Sequence, residues 1–402
     1  MDVAALRQSW AQFSAAGPEA AKYFYATLFV LAPEARSMFP TNMSYQEDKL
    51  LAALGHIVSH VDDERELTAF AQRLGADHRR FRGTDRQGRE VPLGEWHYVW
   101  VGQALLATLE RFLGPRWTPQ LRAQWAAAYE AVTRLMLTGA AQAERTSPPY
   151  WEAEVLAVQR RRADVCVFTV RPNYLCEFLP GQSLPVQVPQ LRLWRYLSPA
   201  NAPRPDGTIE FHVRAAGRFS THLVRRLRVG DRVLLGSPLG AALSSYDRAP
   251  ESPLLLVAGG TGLAPLRAVV EALRQGQGRM VTLVVGAKTP DDLYDDRAIR
   301  ELASGWPAGG WLRYVPTVES GWQWSGAVGR AVDTALRLGP WRDTDVLVCG
   351  NPRMTRDTVG ALLASGVPAE RILAESYDHS LYPPLAGGVA DAARDFTGSG
   401  AR

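Results

Sequence analysis

The chain has 402 residues, which points to two or three domains and leaves ample length for sizeable cores. Apolar residues make up 46% and charged residues 21%, so wholesale disorder is excluded. Lys and Arg number 45 against 41 Asp and Glu, a net charge of +4 without a dense basic block, so nucleic-acid binding is not indicated.

Residues 1–145 read as all helix. Apolar residues recur at three and four over Val3–Phe13, Pro18–Val30, Gln46–Val61, Glu64–His78, Leu93–Phe112 and Pro119–Leu137. Pro18 and Pro119 suit first turns. Arg82–Glu90, polar with two glycines, reads as a loop, and Thr146–Pro149 as a linker. Residues 151–248 carry short β-like runs at Trp151–Val158, Val165–Val170, Ser183–Val188, Ile209–Val213 and Arg232–Leu235, as in a small antiparallel barrel. One helix, Ser220–Arg228, interrupts them.

Residues 249–380 alternate the runs Leu254–Val257, Met280–Val285, Trp311–Val315 and Asp345–Val348 with helices Leu263–Arg274, Asp296–Ser304 and Pro352–Ala364. Such alternation implies βαβ units on a parallel sheet. Residues 381–402 read as a flexible tail. Three cysteines without a CxxC or CxxCH argue against a disulfide framework, a zinc ribbon or covalently attached haem, and fit a reducing compartment. No secretory signal or long apolar run is present, so a cytoplasmic chain is expected.

The sharpest local signal is the strand-like Leu254–Val257 followed by Ala258-Gly259-Gly260-Thr261-Gly262 and a helix carrying Pro265. Glycines let a backbone approach a pyrophosphate, and the helix start offers N–H donors. Alone, the stretch fits an ordinary strand-to-helix turn as well. Cys349-Gly350-Asn351-Pro352-Arg353-Met354 opens another helix after a second strand, and Glu375-Ser376-Tyr377 closes the domain after Ile372-Leu373. In the β-rich part stand Pro180-Gly181-Gln182, then Arg195-Tyr196-Leu197-Ser198, then Gly217-Arg218-Phe219-Ser220. Arg195 could fork onto a phosphate, with Ser220 at a helix start beside it, although a surface arginine is the plainer reading of Arg195 alone.

This order of motifs resembles the ferredoxin–NADP reductase superfamily, a flavin-binding barrel followed by a nicotinamide-binding domain. The resemblance implies that Gln182, Arg195, Tyr196, Leu197, Ser198 and Ser220 lie in the FAD site. It implies that Gly259, Gly260, Thr261, Gly262 and Pro265, with Cys349, Gly350 and Met354, line the nucleotide site, and that Tyr377 covers the flavin ring. The ring-stacking tyrosine of the family aligns with Leu197, while Tyr196 alternates to the other face, which implies an altered flavin affinity or potential. Lys288 could meet a 2′-phosphate or be a solvated lysine, so NADH and NADPH both stay open.

The helical part resembles a globin through Tyr25, Phe39, Gln46 and Leu50, then His78 ahead of Phe81, then Tyr98 and Gly102. A haem pocket needs one neutral imidazole and an apolar wall. The resemblance implies His78 as the iron ligand, Phe39 and Leu50 against the porphyrin, Tyr25 and Gln46 on distal O2, and Tyr98 behind the proximal histidine. His97 is a rival ligand, and His56 and His60, spaced i, i+4 without a flanking Glu or Cys, read as helix-surface residues. The family's proximal glutamate falls in Gly139–Ala143, which has no carboxylate; Gln142 or Glu144 would have to stand in.

A globin followed by this reductase module resembles the flavohaemoglobins. The fold implied is an all-α globin, an antiparallel β-barrel FAD domain at 151–248 and an α/β parallel-sheet NAD(P)-binding domain at 249–380. The cofactors implied are haem b, FAD and NAD(P)H. The activity implied is nitric oxide dioxygenation: NAD(P)H reduces FAD, FAD reduces haem, and ferrous–O2 haem oxidises NO to nitrate. NO and O2 would be the substrates of a monomer or weak dimer with no membrane span. The missing glutamate implies slower or altered haem chemistry. It leaves room for another electron acceptor, or for an O2-binding globin kept ferrous by its reductase.

Overall fold

The computed structural model describes residues 2–39, 43–84, 89–240, 243, 246, 252–274, 279–304, 311–321 and 324–376. Tyr377 and the tail expected at 381–402 lie outside the described residues. The chain divides into two compact units at Tyr150–Trp151.

The first unit is helical: α1 (Val3–Ser14), α2 (Gly17–Leu31), α3 (Ser44–Ser59), α4 (Glu64–His78), α5 (Glu95–Leu113) and α6 (Pro119–Glu144). Side-chain caps set several starts. Asp2, Asp63 and Thr118 accept from the amides of Ala5, Glu66 and Leu121. Pro18 and Pro119 sit in first turns, as their fixed φ and missing N–H favour. The core gathers Leu6, Phe13, Phe24, Leu28, Leu109 and Trp125. The buried Trp125 indole N–H is satisfied by the Ser9 hydroxyl at 3.0 Å.

Two differences from the sequence reading stand out. The Arg82–Glu90 loop is flanked by a small hairpin, β1 (Arg82–Thr84) paired antiparallel with β2 (Glu90–Pro92). Three residues per strand are too few to show period-two alternation. α6 also runs past Leu137 to Glu144, because Gly139 is held against α4 and is followed by the good helix formers Ala140, Ala141, Gln142 and Ala143.

α4 and α6 meet backbone to backbone. A Cβ on Gly75 would overlap the Met136 carbonyl, and one on Gly139 would overlap the Gln72 carbonyl. Only glycine at both positions allows the approach. Gly75→Ala is therefore expected to destabilise the unit by about 3 kcal/mol, the upper range for overpacking. A urea titration would show a lower midpoint at unchanged slope; an unchanged midpoint would mean that the helices separate without penalty.

The second unit begins with β3 (Trp151–Arg160), β4 (Val165–Pro172), β5 (Leu184–Val188), β6 (Leu193–Leu197), β7 (Ile209–Arg214), α7 (Arg218–Arg226) and β8 (Arg232–Leu235). The strands form one antiparallel sheet in the order β6-β5-β8-β3-β4-β7. It curls so that a Pro199–Phe211 bridge joins the two ends. Phe168, Phe211, Leu184, Val186 and Leu235 fill the interior, and α7 adds Phe219, Leu223 and Val224. The sequence reading placed α7 two residues late and did not separate β6, an edge strand whose five residues are all half-buried.

There follow β9 (Leu254–Gly259), α8 (Leu263–Arg274), β10 (Val281–Ala287), α9 (Asp296–Ser304), β11 (Leu312–Val318), β12 (Ala327–Val328), α10 (Ala331–Arg337), β13 (Asp345–Gly350), α11 (Pro352–Ala364) and β14 (Ile372–Ser376). All these strands are parallel, in the order β12-β11-β10-β9-β13-β14. Helices cover both faces, over two apolar clusters. β9 lies between β10 and β13, so the strand order reverses at its carboxyl end, where the Gly-rich turn stands. Among the described residues, no helix is long and apolar enough to cross a membrane.

Candidate functional site

In the first unit, His78 ends α4. Its Nδ1–H donates to the Leu74 carbonyl one turn back, at 2.7 Å. That bond leaves Nε2 as the nitrogen with the lone pair. Burial holds the imidazole pKa below its ordinary value; the Leu74 bond opposes this and Lys49 adds to it. The ring is therefore neutral near pH 7, the form that binds iron, and Nε2 takes no hydrogen bond among the described residues. Phe81 stands edge-on to it at 5.6 Å.

Tyr25 on α2 sits among aromatic rings, 5.3 Å from Phe39 and 6.0 Å from Phe29. Its hydroxyl donates to the backbone carbonyl of Gln46 at 3.0 Å. Burial, with the charge of Glu47, pushes the phenol pKa up, so the hydroxyl keeps its proton. Tyr25 and Gln46 are thus brought together as expected, but through a main-chain oxygen and not through the amide. Leu50, one turn further along α3, packs half-buried on the same core. A neutral imidazole with a bare Nε2 and an apolar aromatic wall suit a haem.

The proximal partners depart from expectation. Tyr98 packs with Leu67, Leu74, Val132 and Met136, and its hydroxyl makes no hydrogen bond among the described residues. Its carbonyl accepts from Tyr129 at 2.7 Å. Gln142 and Glu144 are both exposed, so neither replaces the missing carboxylate. His97, the rival ligand, uses Nδ1 to accept from the Gly94 amide and caps α5. His56 and His60 are half-buried, not surface residues. They stack at 4.3 Å, and Glu66 lies 3.5 Å from His56. Among the described residues, no group of three or more His, Cys, Asp or Glu is placed to hold a metal ion.

In the second unit, alternation along β6 puts Leu193 and Leu197 on the barrel core and Tyr196 on the other face, as expected. The Arg195 guanidinium donates to the Trp194 carbonyl at 2.7 Å. Ser198, just beyond β6, is buried with no partner for its hydroxyl among the described residues, an orphan that a bound polar group would satisfy. Two further expected flavin contacts carry other duties. The Ser220 hydroxyl closes its own helix start by accepting from the Ala216 and Gly217 amides. The Gln182 amide accepts from Leu179 N–H and donates to the Gly240 carbonyl.

The nucleotide loop is built by close approach. Gly260 has φ +54°, and a Cβ on Gly262 would overlap the Cys349 carbonyl, so the start of α8 lies directly on the end of β13. Thr261 completes this turn, and Pro265 is buried in the first turn of α8. Met354 lies over Gly259 and Gly350. Cys349 is wholly buried, so its contribution is its backbone and not its thiol. Glu375, beside Cys349 in the β13–β14 ladder, has its pKa pushed up to about 7 by burial. The turn, with a helix N-terminus above it, fits a dinucleotide phosphate.

One cluster was missed altogether. Glu210 and His212 on β7, Arg267 on α8, and Tyr294 and Asp295 between β10 and α9 form a buried polar network. Its signal was the alternation Ile209-Glu210-Phe211-His212-Val213, which by pattern alone looks like a solvated polar face.

Comparison with known proteins agrees with this layout. The globin family matches residues 22–136, the oxidoreductase FAD-binding domain 157–243, and the oxidoreductase NAD-binding domain 256–360. A flavohaemoprotein of Deinococcus radiodurans is 31% identical over 291 residues, covering 68% of this chain and 69% of that protein. The xylene/toluene monooxygenase electron transfer component XylA of Pseudomonas putida is 30% identical over 236 residues, covering 57% of this chain and 66% of that one. The chain thus spans about two thirds of each relative. The crystal structure of a flavohaemoglobin from Malassezia yamatoensis with bound FAD and haem shares the fold. Its TM-score is 0.72 at 17% identity, over 94% of this chain and 98% of that one.

Proposed function

The chain belongs to the flavohaemoglobin family, and from that premise we propose that it is an NAD(P)H-dependent nitric oxide dioxygenase. Its globin, FAD-binding and NAD-binding domains make haem, FAD and a nicotinamide nucleotide its cofactors. When bound, they supply an O2-binding iron and a flavin that splits a hydride into single electrons. NO, O2 and one electron give nitrate, so one NAD(P)H serves two NO.

The observation that carries the reading is the His78 imidazole, half-buried, neutral and fixed on the Leu74 carbonyl with Nε2 available. His78 holds the haem, and Phe39 and Leu50 wall it. Tyr25 keeps a proton to donate to a polar diatomic ligand. In the second unit, Arg195, Ser198 and the start of α7 take the flavin phosphates, and the Gly260–Gly262 turn takes the nucleotide.

Purified protein loaded with haem and FAD is expected to consume NO under air with NADH or NADPH, forming nitrate. Bound haem without NO consumption would sink the proposal. The neutral carbonyl behind His78 favours a second reading, an O2-binding globin kept ferrous by its reductase. Slow autoxidation with negligible NO turnover would select it.

A further inference from the structure

The Glu210–Arg267 pair joins the two motifs that must meet in hydride transfer. Glu210 lies in β7. Its carbonyl accepts from Ala200 N–H at 2.8 Å, and its own N–H donates to the Asn201 side chain at 2.6 Å. These residues continue directly from Arg195–Ser198, and the neighbouring Phe211 bridges Pro199. The Glu210 carboxylate is therefore anchored to the flavin motif. Arg267 lies one turn into α8 from Leu263, at the Gly-rich turn. That turn also touches β7.

The Arg267 guanidinium binds the Glu210 carboxylate. It also lies 3.1 Å from Glu271 and 3.5 Å from Asp295. Its side chain is 10% exposed and that of Asp295 is 1%. A second link runs from His212, whose Nδ1 is 2.9 Å from the Tyr294 hydroxyl. Burial pushes the Glu210 pKa up, but the His212 hydrogen bond and the Arg267 charge outweigh it and hold the pKa near 2. Buried ion pairs are poor sources of net stability, and fixing register is their best-attested use.

We infer that Glu210 and Arg267 are positioning residues for hydride transfer: they set the nicotinamide loop in register with the flavin motif. They touch neither the nucleotide nor the flavin in this role. They act through α8 and through the Ser198–Asn201 segment. The inference rests only on the flavin and nucleotide seats, so it stands apart from NO chemistry.

The test uses the full protein loaded with FAD and haem, mixed anaerobically with NADH, without NO. Glu210→Gln is expected to retain FAD and to keep its KM for NADH. Its flavin reduction at saturating NADH should slow by about ten- to a hundredfold, the scale of a small misplacement. The long-wavelength nicotinamide–flavin charge-transfer absorbance should weaken in step, a readout that a merely structural role would not move. Arg267→Lys keeps the cation but loses the fork and should do the same. If Glu210→Gln purifies without FAD, the lysine variant decides. Unchanged charge-transfer absorbance with unchanged reduction rate, or a raised KM alone, overturns the inference. Failure of wild-type NO turnover with normal flavin reduction would count against the dioxygenase reading and leave this one intact.

Discussion

Replacing His78 with glycine is expected to abolish stable haem binding and to bring NO consumption down to background, while NADH still bleaches the flavin. His78 has a half-buried neutral ring whose Nδ1–H is tied off on the Leu74 carbonyl, which leaves the Nε2 lone pair without a hydrogen bond among the described residues. His97 cannot replace it without uncapping α5. The small residue leaves room for free imidazole, which should restore a Soret band when added with haem. An unaltered spectrum in the variant would remove His78 from the ligand position. Loss of flavin reduction as well would point to general misfolding, which added imidazole would not repair.

Tyr25→Phe is expected to speed O2 release from the reduced, haem-loaded protein by at most about tenfold, the worth of one net hydrogen bond near 1.4 kcal/mol. The ring is retained, so packing against Phe29 and Phe39 should persist. The effect is capped because the hydroxyl has one proton and already spends it on the Gln46 carbonyl. A ligand gains only the difference between two acceptors. Gln46→Ala leaves that carbonyl in place and should change release less than Tyr25→Phe does. Stopped-flow displacement of O2 checks both, and a larger effect for Gln46→Ala would return the donor role to the amide.

Much of this site was legible because its signals are local. α4 ends on His78 as the spacing expected, and the Gly259–Gly262 turn follows an apolar strand into a helix. What escaped depends on partners far along the chain. Glu210 and Arg267 are 57 residues apart, and nothing in an alternating strand says that a later helix will cover its polar face. Gln142 and Glu144 were weighed as stand-ins without knowledge of helical phase or exposure, and the helix turns both to solvent. Ser220 shows a third limit. The motif located its helix start, but the hydroxyl's one set of bonds closes that helix. β12 and α10 were too short to stand out from their flanks, and β14 showed only as the apolar pair Ile372-Leu373 before Glu375.

The carbonyl behind His78 belongs to the hydrogen-bond ladder of α4 itself. A carboxylate in that place could take up a proton in acid and release it again, and the electron affinity of the iron would drift with it. An amide oxygen has no such equilibrium in the range where the fold survives. With His78 on the iron, as proposed, the proximal side would therefore be decoupled from protons, and acidification would leave that part of the redox poise where the backbone set it.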